Sequence, residues 1–276
     1  MDKSSFEANL NVMKQNSLGK YSILKGLYSA IGNNEFFLQY QPRINGKTNE
    51  LVGMKALLRL QHPKYGLIYP SDFLPLAEGT GLIKYLDKWV LSNSCKQLKH
   101  WQSHGYCNLR IAINLSDWQF KQENFPELFK NILAETYIDA SYIDIEIKET
   151  VPLKNQNLNL KTLGILANMG VKIIIGNFGS NSFSINYLKQ LPAYYLKIDK
   201  TLIGDIFKDK SNLIIVKSFI DIAHALNLKV IAEGVETMEQ LVLLQSMDCD
   251  ELQGYFMSKP LTAEDAENQC ISTHTA

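Results

Sequence analysis

Eight short apolar runs, separated mostly by segments of helical period, restrict this chain more than any other feature of its sequence. The runs are Glu35–Tyr40 (EFFLQY), Leu51–Leu58 (LVGMKALL), Leu109–Asn114 (LRIAIN), Ile143–Ile147 (IDIEI), Val171–Ile175 (VKIII), Tyr195–Ile198 (YLKI), Leu228–Ala232 (LKVIA) and Glu251–Phe256 (ELQGYF). Most are β-branched and apolar on successive positions, the pattern of strands covered on both faces in a parallel sheet. Between them, apolar residues recur at helical spacing: Leu82, Leu86, Trp89 and Val90; Leu163, Leu166, Ala167 and Met169, stopped by Gly170; and Ile214, Ile215, Phe219, Ile222, Ala223 and Leu226. Thr237 is placed to cap a helix carrying Leu241, Leu244 and Met247, with Gln240 at the capping-box spacing. Strand–helix alternation of this length predicts an α/β fold, a (βα)8 TIM-type barrel. The segment QPRINGKTNE between the first two runs is too short for a crossover helix, so the first strand is expected to pair antiparallel.

Composition narrows the function classes. The 276 residues carry 28 Lys+Arg and 28 Asp+Glu, so net charge gives no general attraction for nucleic acid. No apolar run reaches ~18 residues, so no membrane span is expected. Residues 1–20 lack the basic start and apolar core of a secretory signal, which points to the cytoplasm. Cys95, Cys107, Cys249 and Cys270 form no CxxC pair and read as reduced thiols. Residues 1–19, with Phe6, Leu10 and Met13 at helical spacing, read as an N-terminal extension or linker helix ahead of a barrel domain over 20–276.

Active sites of such barrels gather at the C-terminal strand ends. The polar residues there are Gln41, Lys55 with Arg59, Asn114, Glu146 with Glu149, Asn177 beside Gly176, Lys197 with Asp199, Glu233 with Glu236, and Gln253. Carboxylates inside a strand core are costly unless paired or metal-bound, so several beside two lysines on one face indicate a pocket. Elsewhere, His100 and His104 sit at i, i+4 without an HExxH pattern and read as an exposed helix face, and no GxSxG or Walker sequence occurs.

The residues carry a resemblance. YQP (Tyr40–Pro42), KALLRL (Lys55–Leu60), NLS (Asn114–Ser116), IEIKET (Ile145–Thr150), KID (Lys197–Asp199), AEGVET (Ala232–Thr237) and QGYFMSKPL (Gln253–Leu261) stand in the order and spacing of the EAL-domain family, bacterial phosphodiesterases of cyclic di-GMP and their degenerate relatives. The chain resembles that family from about Tyr21 to Leu261. The resemblance implies a (βα)8-type barrel with one antiparallel strand. It also implies a hydrolase using two divalent ions, Mg²⁺ or Mn²⁺, which activate water and neutralise the phosphodiester.

At the family's functional positions the chain retains Asn114, Glu146, Lys197, Asp199, Glu233, Glu236 and Gln253. It departs at three implied metal positions: the EAL glutamate is Lys55, and the aspartate pair of the fifth strand is Gly176 and Asn177. Unit charges 4 Å apart interact by ~4 kcal/mol at an effective dielectric of about 20, so a lysine in a carboxylate's place opposes a dication strongly. The family loop FGTGYSS reads FGSNSFS from Phe178 to Ser184, with Asn181 for a glycine. In the family this loop links metal binding to dimer contacts and is held by the counterpart of Glu149.

These departures lead to the expectation that the domain is not an enzyme, uses no cofactor and retains Glu146, Lys197, Asp199 and Glu233 as catalytic relics. The expected function is a metal-independent cyclic di-GMP receptor in bacterial signalling. Its ligand contacts would be Gln41, Lys55, Leu57, Arg59, Asn114, Glu146, Lys197, Asp199, Glu233, Glu236, Gln253 and Pro260, with a protein effector or a homodimer as further partner. The alternative is a protein-interaction module that no longer binds nucleotide, its charges persisting as an ion-pair network in which Lys55 and Lys197 neutralise Glu146 and Asp199. A weak cyclic di-GMP phosphodiesterase is the third reading.

Overall fold

The eight apolar runs all become strands of one closed sheet, because their β-branched residues are buried on both faces. In the strand Arg110–Asn114, for example, Ile111, Ala112 and Ile113 are successive and all buried. A computed structural model describes residues 26–27, 30–149, 156–179 and 185–271. The strands are β1 (Phe36–Asn45), β2 (Leu51–His62), β3 (Gly66–Ile68), β4 (Arg110–Asn114), β5 (Ile143–Lys148), β6 (Lys172–Phe178), β7 (Tyr195–Ile198), β8 (Lys229–Glu233) and β9 (Glu251–Gln253). The ladder from β2 through β4 to β9 is parallel. β1 closes it, antiparallel to β9 and also paired with β2. This is the (βα)8 TIM-type barrel with an antiparallel first strand.

Helices cross between successive parallel strands. They are α1 (Pro70–Thr80), α2 (Ile83–Ser103), α3 (Asp117–Phe120), α4 (Phe125–Thr136), α5 (Gln156–Asn168), α6 (Ile185–Leu188), α7 (Lys200–Gly204), α8 (Lys210–Ala225), α9 (Met238–Ser246) and α10 (Ala263–Ala266). The capping box of α9 forms as its sequence requires: Thr237 Oγ1 accepts from Gln240 N at 3.2 Å, and Gln240 Oε1 accepts from Thr237 N at 3.1 Å. In α5, Leu163 and Leu166 are buried, and Gly170 follows with a φ of 101°. The apolar stripe of α8 is displaced from the expected one. Val216, Ile220 and Ala223 are buried, whereas Ile214 and Ile215 are exposed. This helix has apolar residues on more than one face, and periodicity alone selected the wrong seam.

Strand limits also differ from the sequence reading. β1 continues to Asn45 because Gln41 and Arg43, polar on paper, are buried there. Asn45 then turns the hairpin, its Oδ1 accepting from Lys47 N at 2.8 Å and Thr48 N at 3.0 Å. The last run stops at Gln253, because the chain turns against the segment after β8. A Cβ at Gly254 would lie 2.0 Å from the Val235 carbonyl oxygen, so no larger residue fits. β6 extends to Phe178 through a register shift after Ile175, and Asn177 at that shift has a φ of 57°. β3, three residues long and paired antiparallel with the end of β2, carries too short a pattern to be read from sequence.

The described residues divide into two compact units, one within 26–38 and 58–89, the other within 39–57 and 90–271. In the first, Phe36 packs its ring on Phe73 and Trp89. The second contains the ladder from β4 to β9, with Ala112, Ile174, Tyr195 and Ile231 in contact in its core. Burying side chains of such size contributes roughly 1.5–3 kcal/mol for each large apolar residue. The expected N-terminal extension lies outside the described residues. No helix among the described residues is long and apolar enough to cross a membrane. No disulfide joins the cysteines among the described residues.

Candidate functional site

Parallel strands end together, so their last residues share one rim of the barrel. In the second unit, register places Lys55 beside Ala112, Asn114 beside Glu146, Lys148 beside Gly176 and Glu233 beside Gln253. Four strands, β2, β5, β7 and β8, deliver the central charges. Lys55 Nζ donates to Glu146 Oε1 at 2.8 Å, and Lys197 Nζ donates to Glu146 Oε2 at 3.1 Å. Lys197 Nζ also lies 3.1 Å from Glu233 Oε2. One carboxylate therefore bridges two ammonium groups, and a second carboxylate caps one of them.

Burial makes these contacts strong. The side chains of Lys55, Glu146 and Lys197 are 8%, 6% and 1% exposed. Burial opposes the charge on Glu146, yet Lys197 and Lys55 together outweigh it and hold the carboxyl down at about 2. Lys55 is likewise penalised by burial, but Glu146 and Glu233 raise it above the ordinary lysine value. Lys197 goes the other way: burial, with the ammonium of Lys55 nearby, lowers it despite its two carboxylate partners.

Asp199 does not join this network as expected. Its Oδ1 accepts from Thr201 N at 2.9 Å and Thr201 Oγ1 at 2.7 Å, capping α7. Its Oδ2 accepts from Asn177 Nδ2 at 2.8 Å. Burial would raise this carboxyl, but the hydrogen bonds from Thr201 and Asn177 bring it below its usual range. Lys197 pairs with Glu233 instead, which lies on the adjacent strand β8 two residues beyond Ile231, the register partner of Lys197.

Other expected residues have separate places. Gln41 Nε2 donates to the Ser258 carbonyl at 3.2 Å, tying β1 to the turn that ends in Pro260. Gln253 is buried, and its Nε2 has no hydrogen-bond partner among the described residues. Asn114 and Glu236 are exposed, and Leu57 and Pro260 are half-buried. Glu149 is buried and its Oε2 accepts from Gly179 N at 3.3 Å, holding the chain where it leaves β6. Asn181 and its loop neighbours 180–184 lie outside the described residues. Arg59 belongs to the first unit, where it is buried, donates to the Leu58 carbonyl at 2.8 Å and lies over the Tyr69 ring at 5.1 Å.

The donor set does not fit a pair of divalent ions. Both oxygens of Glu146 face ammonium groups, Gly176 offers no ligand, and the Asn177 amide presents hydrogens to Asp199 rather than lone pairs to a metal. A Cβ at position 176 would already approach Glu146 Oε1 to 2.9 Å. Among the described residues no three His, Cys, Asp or Glu side chains group as metal ligands.

At the opposite strand ends lies a second charged network that the sequence reading missed. Arg43 and Arg110 both pair with the fully buried Asp144. Arg43 Nε lies 2.6 Å from Glu251 Oε2, and Tyr195 donates to Glu251 Oε1 at 2.5 Å while accepting from Arg110 at 2.8 Å. The signal was present: each charge stands in or beside an apolar run. Two arginines on β1 and β4 face two carboxylates on β5 and β9, so the network balances its own charge and ties together the strands that close the barrel.

The EAL domain family model matches residues 25–260. The chain belongs to the EAL domain family. It is 37% identical over 259 residues to MucR of Pseudomonas aeruginosa, named a bifunctional diguanylate cyclase/cyclic di-GMP phosphodiesterase, covering 94% of this chain and 37% of that protein. It is 39% identical over 245 residues to the signaling protein YkoW of Bacillus subtilis, covering 89% of this chain and 30% of that one. A solved structure described as the PaMucR phosphodiesterase in a c-di-GMP complex matches with a TM-score of 0.86 at 37% identity, over 88% of this chain and 99% of that chain. The EAL chain thus spans about a third of the length of these curated relatives. These likenesses overturn the expectation that the chain is not an enzyme. Departures at Lys55, Gly176 and Asn177 do not establish inactivity in a chain this similar to MucR, whose name includes cyclic di-GMP phosphodiesterase.

Proposed function

We propose that this EAL domain binds cyclic di-GMP at the mouth of its barrel, and that Lys55 and Lys197 supply the counter-charge for its phosphodiesters without a divalent ion. The observation that carries this reading is the position of Lys55 Nζ, 2.8 Å from Glu146 and sharing that carboxylate with Lys197. Two ammonium groups held close together offer what two phosphodiester anions require. A cation tethered to β2 needs no free ion to be recruited with the ligand. The buried, unpartnered Nε2 of Gln253 supports a polar ligand at the same rim. Gln41, Leu57, Asn114, Asp199, Glu236 and Pro260 would complete the wall around it. The c-di-GMP complex of the similar PaMucR domain favours this choice of nucleotide.

The test is calorimetric titration with cyclic di-GMP in EDTA and again in Mg²⁺, with chromatography of the same samples recording any linear product. Equal affinity in the two buffers supports the reading; heat only in Mg²⁺ refutes it. A second reading has its own observation in its favour. Glu146 is fully engaged by the protein's own lysines, which suits a structural network in a domain whose partner is another protein. Absence of nucleotide binding in both buffers would select it.

A further inference from the structure

Of the carboxylates around the lysine pair, one faces solvent. The Glu233 side chain is 27% exposed, against 6% for Glu146. An ammonium has three hydrogens to donate. For Lys197 two contacts go to Glu146, at 3.1 Å and 3.5 Å, and Glu233 at 3.1 Å takes up what remains. Lys197 itself is 1% exposed, and of its two carboxylate partners Glu233 is the one that borders solvent, which makes its place the approach for an anion from solution. The Glu146 arm is buried and shared with Lys55, and breaking it would strand two ammonium groups. The Glu233 end of its pair is partly hydrated, so its carboxylate can return to water at less cost than the buried Glu146.

We infer that Glu233 is an internal competitor of the ligand: its carboxylate occupies the phosphate's place on Lys197 and must turn aside when a phosphodiester binds. This rests on the reading that the mouth binds cyclic di-GMP. It reverses the usual sign for a site carboxylate. A glutamate that contacts the ligand or holds a cation weakens binding when it is removed. A glutamate that competes with the ligand strengthens binding when it is removed, both by freeing a donor and by taking one negative charge from the rim.

The experiment is calorimetric titration of the whole chain with cyclic di-GMP in EDTA, comparing the unaltered protein with Glu233→Gln and Glu233→Ala, each checked by its melting temperature. Both variants are expected to bind roughly twofold to fivefold tighter, the scale of one partly exposed ion pair. If one variant is unfolded at the assay temperature, the other decides. Affinity unchanged or weakened in the folded variants, with the unaltered chain binding, overturns the competitor role alone. No binding by the unaltered chain overturns the parent reading and this one together.

Discussion

Replacing Glu146 by glutamine removes the one anion that two buried ammonium groups share. The size of the effect follows from the titration of that carboxyl. In the folded state it sits at about 2 rather than at the ordinary 4.5. Each unit is worth ~1.4 kcal/mol, so ionised Glu146 contributes on the order of 3 kcal/mol at neutral pH. Loss of one partner from a buried pair costs about 3–5 kcal/mol in general, which agrees. Glutamine keeps the shape and one acceptor oxygen but leaves Lys55 and Lys197 with Glu233 as the nearest carboxylate. Urea unfolding at pH 7 should show Glu146→Gln less stable by about 3 kcal/mol. In a chain of this size that lowers Tm by roughly 6–12 °C. The sign of the pH dependence is fixed as well. A depressed carboxyl stabilises fully above its unfolded value, and this contribution fades as pH falls from about 4.5 towards about 2. The unaltered protein should therefore lose stability more steeply than Glu146→Gln across that window. A loss under 1 kcal/mol at pH 7, or parallel acid curves, would refute the reasoning.

Three further outcomes are expected. Lys55→Glu sets a second carboxylate against Glu146 in place of an ammonium, and chelator-resistant affinity for cyclic di-GMP should fall at least tenfold by calorimetry (~1.4 kcal/mol). Asn177→Asp turns a 2.8 Å hydrogen bond to Asp199 into a facing pair of carboxylates, so thermal unfolding should come earlier at pH 7 by about 1–2 kcal/mol and recover as the pH is lowered towards 4. Thiol labelling of the native protein should modify Cys107, which is exposed, while Cys95 and Cys249, buried with thiols pushed up to about 12, react only after urea is added.

The barrel was legible because its strands are short, apolar and regularly spaced, and a closed parallel sheet demands little else of them. The antiparallel start followed from loop length alone. What escaped was local. The α8 seam could not be chosen while Ile214 and Val216 both looked apolar, since burial depends on which face meets the sheet. The limits of β1 were missed because Gln41 and Arg43 are buried polar residues, which a hydropathy pattern reads as surface. At the site, the residue set was visible but its pairing was not. The sequence supplied two lysines and several acids, and only strand register decided that Lys197 meets Glu233 while Asp199 turns to Asn177 and Thr201. The network of Arg43, Arg110, Asp144, Tyr195 and Glu251 shows the same limit at the other strand ends.

The tethered-cation account meets its most direct check in paired cyclic di-GMP titrations, one in EDTA and one in Mg²⁺, run on the unaltered chain. The account predicts superimposable isotherms. An isotherm that is flat in EDTA and restored by the metal would contradict it.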